Sequence, residues 1–215
     1  MSIKISYLKK TTGKSSGNLI LFSDDKLNIS NLKKYISSTE FIYVKDLLKN
    51  SDLKKSIFVF EINSKKKIML ISIKKELKSY DIENLGAQFY SYINYGKNSE
   101  YLINSDSIVN KNENLLGHFL HGLKLKSYEF NKYKTKKETR LISINVLGNK
   151  NKPSAQRQLK FKSLEEGTFY ARDLVSEPGN ILHPDEYSKR LNSLRKDGLK
   201  INIYDEKKLK KLGMN

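Results

Sequence analysis

The stretch ARDLVSEPGNILHPDEY, Ala171–Tyr187, separates two helical patterns and decides how the chain is organised. Upstream of it, apolar residues keep helical spacing over 154–176, and Pro178 with Gly179 ends that helix because proline cannot continue it. Downstream, Pro184 suits the first position of a helix, and the two acidic residues after it favour the positive end of the helix dipole. The sequence therefore predicts a turn here, between one long helix and a second helix.

The residues after this turn predict a short succession of helix, strand and helix. Tyr187, Leu191 and Leu194 recur at helical spacing, which predicts a buried stripe on the second helix. LKINIY, 199–204, alternates apolar and polar residues and predicts a strand with one buried face, and DEKKLKKLG, 205–213, predicts a short helix. The sequence ends before any further strand that could pair with LKINIY. We therefore expect these residues to form only the beginning of an α/β domain.

The residues before the long helix alternate between strand and helix patterns. Short apolar runs rich in Ile, Val and Phe predict strands at 3–7, 18–22, 56–62, 67–73 and 140–147. Helical faces are formed by Ile82, Leu85, Phe89 and Ile93, and by Leu116, Phe119, Leu120 and Leu123. This alternation predicts an α/β fold with a mixed, partly parallel sheet flanked by helices.

A change of composition marks the predicted domain boundary. GNKNKPSAQ, 148–156, collects Gly, Asn, Pro and Ser without an apolar period. We therefore predict an N-terminal α/β domain over 1–150, a connecting helix over 151–178, and the beginning of a further domain over 179–215.

The chain is strongly basic, with a formal net charge of +18. Clustered cations can bind nucleic acid by releasing counterions from the phosphates. Of the 41 basic residues, however, 36 are lysines, and they are dispersed along the sequence. Arginine, the better reader of guanine edges, is scarce. We therefore expect nucleic-acid binding to be weak and non-specific.

The absence of cysteine excludes disulfides and thiolate zinc sites, and it fits a reducing compartment. The N-terminus is polar and charged, and the apolar runs IFVF and IMLISI are far shorter than the roughly 20 residues that span a bilayer. We therefore expect a cytoplasmic protein that is neither exported nor inserted in a membrane.

Candidate catalytic and metal-binding residues are few. His118 and His121 are three residues apart, so on a helix they share a face, but no acidic residue lies at helical spacing on that face. Two imidazoles make half a metal site, and we expect two histidines on a helix surface. Acidic pairs such as Glu165 with Glu166 are expected in turns or first helical turns, where solvation and compensation of the helix dipole explain them. The sequence therefore predicts no catalytic and no metal-binding residue in this chain.

Two segments resemble the leucyl (cytosol) aminopeptidases, which are bimetallic exopeptidases. ARDLVSEPGNILHPDEY with the later DEKKLKKLGMN is similar to the segment that joins the two domains of that family. KSYEFNKYKTKK, 126–137, resembles the Tyr-x-Phe-Asp-x-Tyr-Lys-Thr signature near the end of the family's N-terminal domain. Asn131 stands where that family usually has Asp, Ser176 where it has Asn, and His183 where it has Thr or Tyr.

The resemblance implies a macro-like N-terminal domain, the connecting helix, and the truncated start of a metallopeptidase catalytic domain. In the family, two divalent metals, manganese or zinc, polarise the scissile carbonyl and activate a water. The family is hexameric and releases N-terminal amino acids, leucine favoured, from peptides. Its metal ligands lie downstream of the point where this sequence stops, so the resemblance transfers none of them and implies an inactive segment. The positions that match the family are framework residues: Tyr133, Lys134, Thr135, Arg172, Asp173, Pro178, Asn180 and Pro184.

A second hypothesis comes from another functional class. The same residues could form a freestanding basic α/β module that binds nucleic acid or a nucleotide. The coding sequence beyond Asn215 distinguishes the two hypotheses, because a metal-ligand-rich continuation favours the peptidase and an authentic stop favours the module.

Overall fold

The computed structural model of the chain describes residues 2–8, 17–94, 100–109, 114–135 and 141–214. The chain forms two compact units, 1–167 and 168–215, so the division falls inside a helix. Within the described ranges, no helix has the length and apolar character needed to cross a membrane.

The first unit is built on a six-stranded mixed sheet. Its strands are β1 (Ser2–Tyr7), β2 (Asn18–Asp24), β3 (Ile57–Asn63), β4 (Lys66–Ile73), β5 (Glu100–Asn104) and β6 (Leu141–Leu147). Their order is β1-β6-β5-β2-β4-β3, and every pairing is parallel except the antiparallel β3–β4 hairpin. The predicted mixed, partly parallel sheet is confirmed, and β1 and β3 are its edges.

Helices cover both faces of this sheet. Those packed on the sheet are α1 (Ser38–Lys49), α2 (Ser79–Ile93) and α3 (Leu115–Lys126). The chain continues with α4 (Ala155–Ser176), whose first half belongs to the first unit, and with α5 (Pro184–Ser193) and α6 (Glu206–Lys211) of the second unit. One core cluster joins α2 and α3 to the sheet and contains Phe22, Phe89 and Phe119. The other lies under α1 and contains Leu21 and Leu70. Because β2 and β4 are covered on both sides, their sequences are nearly continuous apolar runs.

Two elements of this unit are absent from the sequence-based prediction. Helix α1 begins with a capping box in which Ser37 and Glu40 satisfy each other's backbone N–H groups, and this Ser-x-x-Glu spacing is visible in the sequence. Strand β5 has five residues, of which only Tyr101 and Ile103 are buried apolar side chains, so its local signal is weak.

Helices α2 and α3 pack closely because glycines face the opposite backbone. A Cβ atom at Gly86 would overlap the carbonyl of Phe119, and one at Gly122 would overlap the carbonyl of Glu83. Side chains other than glycine would force the two helices apart. This close packing brings the side chains of α2 within hydrogen-bonding reach of α3.

The second unit contains the end of α4, then α5 and α6. Pro184 stands in the first turn of α5 with His183 before it, which confirms the predicted helix start. Arg190 of α5 donates to Glu177 over 2.9 Å and to Glu186 over 3.0 Å, and the Tyr170 hydroxyl donates to the carbonyl of Arg190. These contacts join α5 to the C-terminal end of α4. The two carboxylates raise the pKa of Arg190, Glu177 having the larger effect.

Two sequence-based predictions in this unit are wrong. LKINIY, 199–204, forms no strand, and Leu199 is 53% exposed, because the described residues supply no strand for it to pair with. The stripe of Tyr187, Leu191 and Leu194 is only partly covered: Tyr187 is 43% exposed, and Leu191 and Leu194 are half-buried. Apolar periodicity identifies the face that can be covered, and in these cases the described residues cover it only in part.

Candidate functional site

Two histidines of α3 share one carboxylate of α2. The Nδ1 atoms of His118 and His121 lie 2.9 and 3.0 Å from Oε1 of Glu83, so each ring donates its Nδ1–H to the same oxygen. Burial opposes ionisation of Glu83, but the hydrogen bonds from His118 and then His121 outweigh it, and its pKa lies below the ordinary value. The carboxylate is therefore anionic at neutral pH and holds both rings.

The prediction of two surface histidines is wrong. His121 is only 8% exposed, and its Nε2 is buried without a hydrogen-bond partner among the described residues. The sequence analysis looked for an acidic partner on the same helix, whereas Glu83 lies 35 residues before His118 on a neighbouring helix. No local spacing could have identified it.

Phe161 of α4 packs on both histidines. Its ring centroid lies 5.0 Å from that of His118, edge to face, and 5.4 Å from that of His121. Gly117 makes room for this ring, because a Cβ atom there would overlap it. The first half of α4 is thereby fixed against α3 through an aromatic side chain rather than through close backbone packing.

A cavity of about 460 Å³ lies between β1, α3 and the first half of α4. Ile3, Ile5 and Tyr7 of β1 line it, together with Leu120 and His121 of α3. Phe161, Gln158 and Glu165 contribute from α4. Burial raises the pKa of Tyr7 to about 12, so its hydroxyl keeps its proton at neutral pH. The size is within the usual range of small-molecule sites.

One ion pair belongs to this cavity and links all three of its elements. Nζ of Lys124 lies 2.9 Å from Oε1 of Glu165 and donates to the carbonyl of Ile3 over 2.8 Å. Both side chains of the pair are more than three-quarters buried. A second pair, Lys162 with Glu166, lines the same cavity but is largely exposed.

None of the framework positions predicted from the family resemblance lines the cavity. Tyr133, Lys134 and Thr135 follow α3, and the ring of Tyr133 packs against Phe130 with centroids 5.8 Å apart. Arg172 and Asp173 lie on the part of α4 that belongs to the second unit. Pro178 and Asn180 form the turn after α4, where the carbonyl of Pro178 accepts from Ile181 and Leu182. Pro184 begins α5. The structural role predicted for these residues stays a prediction.

The residues present do not fit a two-metal centre. Within the described part of the chain, no group of three or more His, Cys, Asp or Glu side chains could hold a metal ion. The nearest arrangement is Glu83 with its two histidines, in which both Nδ1 protons are directed at the oxygen that a metal would need. We therefore derive no metal-dependent step from these residues.

Comparison of the sequence with curated proteins identifies relatives that share one description. No protein-family profile matches the chain. A cytosol aminopeptidase of Nitrobacter winogradskyi is 25% identical over 99% of this chain and 45% of its own length. A cytosol aminopeptidase of Bradyrhizobium sp. is 38% identical over 43% of this chain and 19% of its own length. The chain thus spans less than half the length of the curated relatives it matches.

Solved structures show the same relationship at the level of fold. A mutant of tomato leucine aminopeptidase matches 99% of this chain and 46% of its own chain with a TM-score of 0.76 and 18% identity. The cytosol aminopeptidase of Coxiella burnetii matches 95% of this chain and 41% of its own, with a TM-score of 0.61 and 17% identity. A bottromycin maturation enzyme solved with manganese matches 93% of this chain with a TM-score of 0.64 and 12% identity.

These similarities confirm the resemblance that the sequence motifs indicated. The curated relatives and two of the three solved structures are cytosol or leucine aminopeptidases, and the fold of this chain is similar to that of the leucine aminopeptidase N-terminal region. The similarity extends over nearly the whole chain, including the first 111 residues where the motifs are weakest.

Proposed function

We propose that this chain serves as the N-terminal portion of a cytoplasmic, metal-dependent leucyl aminopeptidase. The observation that carries the proposal is the match over 99% of the chain to the Nitrobacter winogradskyi cytosol aminopeptidase. The tomato leucine aminopeptidase fold, which also matches 99% of the chain, supports it. In this proposal the two divalent metals, manganese or zinc, and the peptide substrate are bound by a catalytic domain that follows the second unit.

The proposed role of this portion is structural support of the catalytic domain in a homo-hexamer. The first unit has its own two-sided core, whereas the second unit presents exposed apolar side chains such as Val175, Tyr187 and Ile203. Exposed apolar groups of this kind gain free energy only when another surface covers them. The catalytic domain would supply that surface, with the framework positions around Pro178 and Pro184 setting the path of the chain.

A chimera tests this proposal directly. The chain replaces the matching 45% of the Nitrobacter winogradskyi protein, and the purified chimera is assayed with leucine p-nitroanilide and manganese. We expect hydrolysis that a chelator abolishes, as in the intact relative, and none from the 215-residue chain alone. The remaining part of the relative without any N-terminal portion is the control.

Three results would contradict the proposal. A folded chimera that is inactive while the intact relative is active would show that this chain cannot support the catalytic domain. Activity of the relative's remaining part at the level of the chimera would show that no support is needed. Chelator-sensitive hydrolysis by the chain alone would reveal a metal site in residues to which we assign none.

The formal charge of +18 favours a second function, the binding of nucleic acid. Because the lysines are dispersed, we expect binding that depends on counterion release alone and therefore weakens steeply with salt. Fluorescence anisotropy with two DNA duplexes of unrelated sequence, each at low and moderate salt, measures this. A preference of more than about a hundredfold that survives at about 0.2 M salt, on the scale of specific recognition, would favour the freestanding binding module.

A further inference from the structure

The cavity beside the first half of α4 has a charged end, whose side chains contact each other and the edge strand. Lys124 of α3 and Glu165 of α4 form an ion pair, and Lys124 also donates to the carbonyl of Ile3 in the edge strand. An ammonium group has three N–H donors and a carboxylate has about four acceptor positions. The contacts described use two donors of Lys124 and one acceptor position of Glu165. Both groups therefore retain hydrogen-bonding capacity at this end of the cavity.

Apolar side chains form a large part of the cavity wall. Ile5, Leu120 and Phe161 line it, and the aromatic ring is fixed by its contacts with the two histidines that Glu83 holds. The side chain of a residue other than glycine at position 117 would displace this ring. An apolar group in this space would contact a branched aliphatic and aromatic surface, from which it gains burial without reorganising the wall.

We propose that this cavity binds a free α-amino acid with an apolar side chain. The carboxylate of the ligand accepts from the remaining N–H of Lys124, and its ammonium donates to the remaining oxygen positions of Glu165. The side chain of the ligand packs between Ile5, Leu120 and Phe161. A ligand with both charges satisfies both members of the pair, whereas a simple anion leaves the carboxylate of Glu165 facing a like charge.

A ligand series distinguishes this zwitterion site from a site for one charge only. L-Leucine, 4-methylpentanoate, 3-methylbutylamine and glycine are titrated into the 215-residue chain by isothermal calorimetry. These probes keep both charges and the side chain, or remove the ammonium, the carboxylate or the side chain in turn. We expect L-leucine to bind with a Kd of about 10 mM or tighter; 10 mM corresponds to about 0.3 kcal/mol for each of its roughly nine non-hydrogen atoms, well below the ceiling for small ligands.

Each of the other three probes should bind at least about tenfold more weakly, which is the loss that one charge-assisted hydrogen bond or a buried aliphatic group gives. Equal affinity for 4-methylpentanoate and L-leucine would overturn the zwitterion assignment in favour of an anion site. No saturable binding of L-leucine, or equal binding of glycine, would overturn the proposal altogether.

The three histidines of the chain locate the bound ligand. In nitrogen-detected imidazole spectra, L-leucine should shift the signals of His121, which lines the cavity, and leave His183 of the second unit unchanged. Shifts confined to His183 would place the ligand elsewhere and refute the site.

Paired variants test the charged end. Lys124→Gln and Glu165→Gln should each weaken L-leucine binding at least about tenfold, by the loss of a charge-assisted hydrogen bond. Lys49→Gln and Asp46→Asn, which change an exposed ion pair of α1 that does not line the cavity, are the matched controls and should change it less than about threefold because exposed pairs contribute little. Equal effects of both sets would contradict the assignment. The ligand series in the unaltered chain decides the question if a variant does not fold.

The inference is independent of the proposed peptidase function, because every residue of the site lies in the first unit. An inactive chimera would leave the binding measurements unaffected, and a failure to bind L-leucine would leave the chimera assay unaffected.

Discussion

Replacing Glu83 with alanine should destabilise the first unit more than any change of an exposed charge. The substitution removes the one oxygen that accepts from both His118 and His121. His121 is 8% exposed, and its Nε2 is buried without a partner among the described residues, so after the substitution its Nδ1–H loses the acceptor described for it in a largely buried position. The side chain of His118 is more exposed, so its Nδ1–H can donate to water instead.

The magnitude follows from these two bonds. A buried donor left unsatisfied costs about 1–3 kcal/mol, and loss of the more exposed bond costs about 0.5–1.5 kcal/mol. We therefore expect Glu83→Ala to lower the free energy of unfolding by about 2–4 kcal/mol, a large share of the roughly 5–15 kcal/mol typical of a folded protein. Glu83→Gln keeps an acceptor oxygen and should cost about half as much.

Urea unfolding followed by far-UV circular dichroism measures the effect, with the slope of the transition checked for an unchanged exposed area. Glu166→Ala is the matched control, because its carboxylate is 65% exposed and lies 3.6 Å from Lys162. We expect that control to stay within about 0.5 kcal/mol of the unaltered chain. A cost for Glu83→Ala as small as that of the control would refute the view that one carboxylate holds α2, α3 and the ring of Phe161 together.

The remaining predictions concern pH, helix packing and the second unit. The pKa of Glu83 in the folded chain lies below its ordinary value of 4.5, so its contribution to the free energy of unfolding is complete above pH 4.5 and is lost as the pH falls through the folded pKa. In urea unfolding measured at several pH values, Glu83→Gln should therefore lose less stability at acid pH than the unaltered chain. An identical pH profile of the two proteins would contradict this expectation. Gly122→Ala places a Cβ against the backbone of α2 and should cost at least about 1–3 kcal/mol. Gly167→Ala, where the added Cβ meets nothing within 4 Å, is its control and should be neutral or stabilising by up to about 1 kcal/mol; similar thermal unfolding of the two variants would show that close helix contact is unimportant. Limited trypsin digestion should cut within 189–211 before it cuts the first unit, since no described apolar residue of the second unit is fully buried. Equal resistance of the two units would show that the second is stabilised by contacts beyond those described.

Local sequence determined the elements whose signal is contained in a few neighbouring residues. The apolar runs of β2 and β4 could be recognised as strands from the sequence because both faces of those strands are buried. The start of α5 was set by a proline and two acidic residues, whose preferred backbone and charge do not depend on the rest of the chain. The motifs around Pro178 and Tyr133 indicated the family because they are continuous in sequence.

Where the local sequence pattern is weak, or fits more than one structure, the sequence alone did not predict the element correctly. Strand β5 is short and pairs on both sides inside the sheet, so its neighbours rather than its residues make it a strand. LKINIY, 199–204, has a strand pattern but forms no strand, because pairing needs a second chain segment that periodicity does not supply. A β pattern states which face can be buried, and the tertiary structure decides whether it is.

The composition of the candidate site was decided by tertiary structure alone. Glu83 meets two histidines that follow it by 35 and 38 residues, and Lys124 meets the carbonyl of Ile3 across 121 residues. Neither contact could be predicted from the sequence, since each depends on the order of strands in the sheet and on the glycines that let α2 and α3 approach. Periodicity and capping act within one or two turns of the chain, whereas a binding site is assembled from residues that only packing brings together.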